Sequence, residues 1–353
     1  MIDFPAGAWR PASAAMRANR LASANDLVNR TLARHGLAVE PETKSTGTAA
    51  HSAPLSDILA RFGQSGGRRP EPALPEGATF ADDSFTCPAG TRRYRTYVPA
   101  SARDGVTGLV VMLHGCTQTP EDFAIGTGMN ALAETHRFIV VYPHQARGDN
   151  AQSCWNWFSR GDQQRDRGEP AILAGLTREA IARHGVPDGR TFVAGLSAGA
   201  AMAVILGDAY PELFSAVGAH SGLPTGSAKD LPSAYAAMAG QGSPGNVAGP
   251  AVRTIVFHGS ADKTVHPSNG EKIARRALDR GPQQSLQHEE SGATSGRSFR
   301  HCTTYGTDGT EAVEHWVVEG LGHAWSGGQA AGSYTDAQGP DASAEMVRFF
   351  FAS

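Results

Sequence analysis

Ser197 stands in Gly195-Leu196-Ser197-Ala198-Gly199, directly after the apolar run Thr191-Phe192-Val193-Ala194 and directly before the small-residue stretch from Ala198 to Gly207. A strand that must turn straight into a helix leaves its corner residue on a sharp, strained bend. Glycines on both sides leave room for the close contacts of such a bend, and a serine at its apex carries an exposed hydroxyl. The helix that follows sets its positive N-terminal end behind that hydroxyl. The combination confines the chain to folds in which a buried strand feeds a packed helix, and it makes Ser197 the candidate nucleophile.

The five-residue pattern alone does not select the serine. The chain has 42 glycines in 353 residues, and Gly63-Gln64-Ser65-Gly66-Gly67 satisfies the pattern as well. That second match runs into Arg68-Arg69-Pro70-Glu71-Pro72, where a helix does not readily begin, and the preceding Ile58-Leu59-Ala60-Arg61-Phe62 reads as a helix end. It is read as linker.

From Phe80 onward, apolar runs alternate with helical patterns. Strands are expected at Arg93–Val98, Gly108–Leu113, Phe138–Tyr142, Thr191–Ala194, Ala216–His220, Arg253–Phe257 and His315–Val318. Helices are expected at Pro120–Glu134, Pro170–His184, Ala198–Gly207, Pro232–Ala239, Ser268–Arg280 and Asp341–Phe351. Continuous runs such as Leu109-Val110-Val111-Met112 fit strands buried on both faces. The expectation is an α/β fold with a mostly parallel, doubly wound sheet and helices on both faces.

Residues 1–79 read as a separate N-terminal helical arm and linker, and residues 80–353 as the catalytic domain. Ser13–His35 can form a helix with Leu21, Ala24, Val28 and Leu32 on one face. A second helical piece is expected at Leu55–Phe62. The arm is either a packing element for the body or a basic amphipathic segment for a lipid or polyester surface, the thin, alanine-rich stripe favouring the first.

Composition limits the partners. A net charge of −3 gives no electrostatic reason to expect nucleic acid. No uninterrupted apolar stretch approaches ~18 residues, so no membrane span is expected. Met1-Ile2-Asp3-Phe4-Pro5 does not lead from a basic region into an apolar one, so no Sec signal is read and a cytoplasmic location or unusual export is expected. Cys87, Cys116, Cys154 and Cys302 form no Cys-x-x-Cys pair and no Cys/His cluster with zinc spacing, so no structural metal or other cofactor is expected. Four cysteines allow three pairings if all are bridged, or all can be free.

A serine nucleophile needs a base, and the base needs an orienting acid. Ile255-Val256-Phe257-His258-Gly259-Ser260-Ala261-Asp262 sets Asp262 in a loop just past a buried strand. Trp316-Val317-Val318-Glu319-Gly320-Leu321-Gly322-His323 does the same for His323. The order Ser197, Asp262, His323 and the position past strand ends point to a nucleophile, acid and base. Among the 13 histidines, His258 and His315 are expected to pack or bond locally, while His266 is close enough in sequence to Asp262 to line the site. A tetrahedral intermediate needs two N–H donors at its oxyanion. The amide of Ala198 is one candidate, and the amide of Cys116 in Leu113-His114-Gly115-Cys116-Thr117-Gln118 is the other.

With these residues in view, the chain resembles the polyhydroxybutyrate-depolymerase-type esterases, a family that includes bacterial feruloyl esterases. The likeness rests on Val111 to Gln118, Cys154-Trp155-Asn156-Trp157-Phe158, Gly195 to Gly199, Phe257 to Asp262 and Gly322-His323-Ala324-Trp325-Ser326-Gly327-Gly328. It runs from about Phe80 to the C-terminus. The resemblance implies an α/β-hydrolase fold, the triad Ser197, Asp262 and His323, oxyanion donors at Cys116 and Ala198, a possible Cys116–Cys154 disulfide, and secretion for many members. Cys87 and Cys302 it leaves unassigned.

The expected activity is that of a serine carboxylesterase on short-chain or hydroxyalkanoate esters. The runner-up is a feruloyl or acetyl esterase acting on plant polysaccharide. A different class, a non-catalytic hydrolase-fold binding module, sits poorly with the intact Ser/Asp/His order. Trp155 and Trp325, with His114 and Gln118 of the oxyanion loop, are candidates for substrate contact. Trp157 and Phe158 either join them or belong to the core. The stretch Gly222–Pro250 reads as a flap over the site or a long loop.

Overall fold

A computed structural model describes residues 71–246, 249–281 and 284–352, all within the unit Arg68–Ser353. The helices expected over Ser13–His35 and Leu55–Phe62, and the linker around Ser65, lie outside the described residues. In chain order the elements are β1 (Thr79–Cys87), β2 (Gly90–Val98), β3 (Gly108–Leu113), α1 (Pro120–Thr127), α2 (Met129–His136) and β4 (Phe138–Pro143). Then come α3 (Gly168–His184), β5 (Thr191–Leu196), α4 (Ala198–Ala209), β6 (Ala216–His220), α5 (Leu231–Met238) and β7 (Arg253–Gly259). The chain continues through α6 (Ser268–Arg280), β8 (Gln284–Thr294), β9 (Arg297–Gly306), β10 (Glu311–Val318) and α7 (Ala342–Phe351).

One sheet carries these ten strands in the order β1-β2-β4-β3-β5-β6-β7-β10-β9-β8. The six central strands, from β4 to β10, run parallel, and antiparallel hairpins extend the sheet at both edges. Every residue of β3, β4, β5 and β6 is buried, as the continuous apolar runs require of strands covered on both faces. Leu109, Val111, Leu113 and Val193 face one side, where α3, α4, α5 and α6 pack. Val110, Met112, Val140 and Phe192 face the other, beneath α1, α2 and α7. This is the α/β fold expected from the alternating pattern.

Three differences from expectation affect the main sheet and its helices. The single helix over Pro120–Glu134 is two helices, because Gly128 takes a left-handed φ of 64° and its amide closes the first helix onto the Ala124 and Ile125 carbonyls. The strand β1 was not anticipated, since Thr79–Cys87 is a polar, half-exposed edge strand with no apolar run. The β8–β9 hairpin was also missed. Its turn is Ser295-Gly296, with φ of 47° and 85°, and that dipeptide was the available signal.

Parallel strands present all their carboxyl ends at one edge. Ser197 follows β5, Asp262 follows β7, His323 follows β10 and His114 follows β3, so the topology alone gathers these loops. On the far side, α7 closes the core through Phe350, which is 1% exposed and stacked on Phe192 with centroids 5.0 Å apart. Phe350→Ala is expected to cost about 3–5 kcal/mol, seen as a lower urea midpoint at unchanged denaturant slope.

Candidate active site

Ser197 joins β5 to α4 with φ 57° and ψ −118°, a conformation an L-residue holds only under constraint. Both flanking glycines are required for it. A Cβ on Gly199 would overlap the Leu113 carbonyl oxygen, and one on Gly195 would meet the same oxygen and the Gly199 backbone. The Ser197 amide donates to the His220 carbonyl at 2.9 Å, tying the turn to the end of β6. Its side chain is half-buried and sits at the N-terminus of α4, whose residues Ala198–Gly207 are all buried.

Asp262 and His323 meet because their loops are zipped together. The amides of Ser260 and Ala261 donate to the carbonyls of Val318 and Leu321 at 2.9 and 3.0 Å, and the Gly320 amide donates to Ser260 Oγ at 2.9 Å. A Cβ on Gly259 would overlap the Leu321 carbonyl oxygen, so a glycine is needed where the loops touch. His323 Nδ1 lies 2.7 Å from Asp262 Oδ2. With the carboxylate accepting, Nδ1 carries the ring proton and Nε2 keeps a free lone pair in the neutral ring.

The Asp262 carboxylate is fully buried and surrounded by donors. Oδ1 accepts the amides of Thr264 and Val265 at 2.9 Å each. His258 Nε2, which donates to the Val265 carbonyl at 2.9 Å, lies 3.5 Å from Oδ2. Burial opposes charge here, but the hydrogen bonds from His258, His323 and the Val265 amide hold the carboxyl well below the usual carboxylate range. His258 therefore bonds locally as expected, yet it does so against the acid itself. His266 is turned to Ser268, with Nδ1 2.9 Å from Oγ.

The loop after β3 carries Cys116, which is disulfide-bonded to Cys154. Among the described residues, no protein acceptor takes the amide of Cys116 or of Ala198. Cys87 and Cys302 are free. No group of three or more His, Cys, Asp or Glu among the described residues is arranged to hold a metal ion. No helix among them is long and apolar enough to cross a membrane.

The four side chains expected to contact substrate are instead buried beneath the loops. Trp155 has no exposed surface and donates its indole N–H to the His114 carbonyl at 3.0 Å. His114 Nε2 accepts the Gln145 amide at 3.1 Å, and its Nδ1 donates to the Gly115 carbonyl at 2.8 Å. Gln118 Oε1 accepts the Gly115 amide at 2.9 Å, while its Nε2 donates to Asp122 and Ser333. Trp325 is 1% exposed, edge-on to Phe123, and donates to Ser343 Oγ at 3.1 Å. Each polar end already has an internal partner, so these residues shape the loops from below. Trp157 is buried and meets Phe158 edge to face, on the core side of the alternatives.

Other residues at this edge were not anticipated. Tyr334 is 43% exposed with a φ of 52°, its hydroxyl lies 3.3 Å from Thr117 Oγ1, and its carbonyl accepts the Trp325 amide at 2.7 Å. It is an exposed ring bonded to the loop after β3 at Thr117. Glu169 underlies the Trp155 loop, accepting from Gln145 Nε2 at 2.6 Å and from the Asn156 amide at 2.8 Å. Burial raises its carboxyl to about 7. No local motif marks either residue.

Residues 92–288 match the family model described as esterase PHB depolymerase. The chain belongs to this family. Over 233 residues it is 33% identical to poly(3-hydroxyalkanoate) depolymerase C of Paucimonas lemoignei, a match covering 61% of this chain and 54% of that protein. It is 30% identical over 201 residues to a probable acetylxylan esterase A of Aspergillus fumigatus, covering 52% of this chain and 53% of that protein. The chain spans about half the length of these curated relatives. Among solved structures, an acetyl xylan esterase from Aspergillus awamori superposes with a TM-score of 0.58 at 20% identity, over 77% of this chain and 98% of its own, which shows the shared fold. The described residues thus have the α/β-hydrolase fold that the resemblance implied.

In the denatured, unreduced protein two thiols are expected to react with a thiol reagent, and four after reduction. Replacing Cys116 and Cys154 together by alanine opens a loop with a sequence separation of 38. In the chain-entropy picture that costs about 4 kcal/mol, read from the denaturant midpoint.

Proposed function

We propose that the chain is a serine carboxylesterase with Ser197 as nucleophile, His323 as base and Asp262 as the orienting acid, carried by residues 80–353 with residues 1–79 as a separate arm. The observation that supports this most is the 2.7 Å contact of His323 Nδ1 with a buried, charged Asp262, at the same sheet edge as the left-handed Ser197 turn. Ser197 Oγ attacks the ester carbonyl carbon while His323 Nε2 takes the hydroxyl proton. The carbonyl oxygen becomes an oxyanion received by the amides of Cys116 and Ala198, which have no other protein acceptor among the described residues. Collapse breaks the bond to the alcohol oxygen, to which His323 returns the proton. Water, activated by the same imidazole, then clears the acyl-enzyme.

The relatives' names support hydroxyalkanoate or short acyl esters as the substrate class. The acetylxylan esterase relative also favours a second reading, an acetyl or feruloyl esterase acting on plant polysaccharide. A fluorophosphonate probe is expected to label the wild type and Ser65→Ala but not Ser197→Ala; no labelling of the wild type ends the enzyme reading in favour of a binding module. Turnover of nitrophenyl acetate and butyrate, methyl ferulate, acetylated xylan and an amorphous polyhydroxybutyrate film separates the substrates. Clearing of the film with little action on the ferulate ester supports the first reading, and release of acetate from xylan without clearing supports the second. Asp262→Asn presents an amide to His323 and is expected to lower kcat by about 10⁴-fold, since the imidazole then takes the wrong tautomer.

A further inference from the structure

Among the fully buried polar side chains that the mechanism above leaves unused, His220 has the most direct ties to the site. His220 ends β6 with no exposed surface. Its carbonyl accepts the Ser197 amide at 2.9 Å. Its Nε2 accepts the Ser326 amide at 3.0 Å, three residues beyond His323. Its Nδ1 lies 3.1 Å from Ser221 Oγ. The ring stacks against Trp325 with centroids 5.1 Å apart and against Phe257 at 5.8 Å. No other described residue bonds both the nucleophile's backbone and the segment that carries the base.

We infer that His220 is a positioning residue which, resting on the reading of Ser197 and His323 above, sets the distance between them by holding the Ser197 turn through its carbonyl and the His323 loop through its imidazole Nε2. The backbone amide of Ser326 can only donate, so Nε2 must present a lone pair. A neutral imidazole then carries its proton on Nδ1, where the Ser221 hydroxyl oxygen accepts it. A protonated ring would turn a donor toward the Ser326 amide and break the link. Burial prevents this by pushing His220 down to about 3, with His258 and His323 adding in the same direction. The stacked Trp325 ring, one residue before Ser326, keeps the imidazole plane fixed. This gives Trp325 a place in the site without contact to substrate. Small displacements between a nucleophile and its base are costly, since about 1 Å is enough to lose about 10²-fold in rate.

The test compares three variants that differ in where they offer an acceptor. A glutamine oxygen reaches the position of Nε2, an asparagine oxygen reaches only that of Nδ1, and leucine offers none. His220→Leu and His220→Asn are expected to lower kcat on a nitrophenyl ester by about 10²-fold with KM within about threefold, and to slow fluorophosphonate labelling in parallel. His220→Gln is expected to retain kcat within about tenfold. If the Leu and Asn variants keep wild-type kcat, or if Gln falls as far as Leu, the Nε2 link does not position the base and the inference is overturned. Ser197→Ala serves as the separate control: turnover undiminished there would overturn the reading of the site, whatever His220 does. A neutron structure of the wild type needs no variant to fold. Deuterium on His220 Nδ1 and none on Nε2 is expected, and deuterium on Nε2 overturns the inference.

Discussion

The left-handed turn at Ser197 is the constraint on which the rest of the site depends. A non-glycine residue in such a conformation costs on the order of 1–3 kcal/mol and persists only where its surroundings over-determine it. Here the constraints come from several elements. The Gly199 backbone is pressed against the Leu113 carbonyl, the Ser197 amide is bonded to the end of β6, and α4 is buried along Ala198–Gly207. Alanine and glycine dominate the first turn of that helix because only small residues let it start so close to β3. The same closeness brings the His114 carbonyl, at the start of the Cys116 loop, against Gly199.

The loop after β3 has no regular structure of its own between Leu113 and α1, so its shape must be imposed from outside. Three ties do this. The disulfide holds Cys116 to Cys154, the Trp155 indole holds the His114 carbonyl, and the Gln145 amide holds the His114 ring. Gln145 in turn bonds Glu169 at the start of α3, which also takes the Asn156 amide. The buried Glu169 carboxyl group thus fastens two points of the β4–α3 connection to the body of the fold. An apolar residue in its place would leave those donors unpaired, at about 1–3 kcal/mol for each group.

What could be read from the chain follows the same physics. The central parallel strands β3 to β6 were legible because burial on both faces favours unbroken apolar runs, and Leu109–Leu113 or Phe138–Tyr142 can be little else. The carboxyl-edge loops were legible because the strand order puts Asp262 and His323 where parallel strands end. The edge strands β1, β8 and β9 were not, since one exposed face admits Asp82, Gln287 and Glu289 as readily as an apolar residue. Nor were the roles of Trp155, Trp325, His114 and Gln118. An aromatic or amide beside a catalytic loop has the same local sequence whether it faces solvent or underpins the loop. Only the partner of its polar atom decides, and the partners of Trp325 and Gln118 at Ser343 and Ser333 are distant in the chain.

Asp262 and His323, the proposed acid and base, illustrate why these hidden partners matter more than the motif. The Asp262 side chain has no exposed surface, and an unpaired carboxylate so placed would be neutral. It stays charged because two amides of its own turn, the His323 imidazole and the nearby His258 all present N–H groups to it. The amides fix Oδ1, which leaves Oδ2 a single orientation toward His323. His323 is therefore aimed by the backbone of the 262–265 turn, and that turn is itself held by His258 from within β7. His323 is thus located from two sides: by the Asp262 turn at Nδ1 and by the loop's attachment to β6 at Ser326. Neither attachment involves an atom that reacts, yet together they determine where the free nitrogen of His323 points.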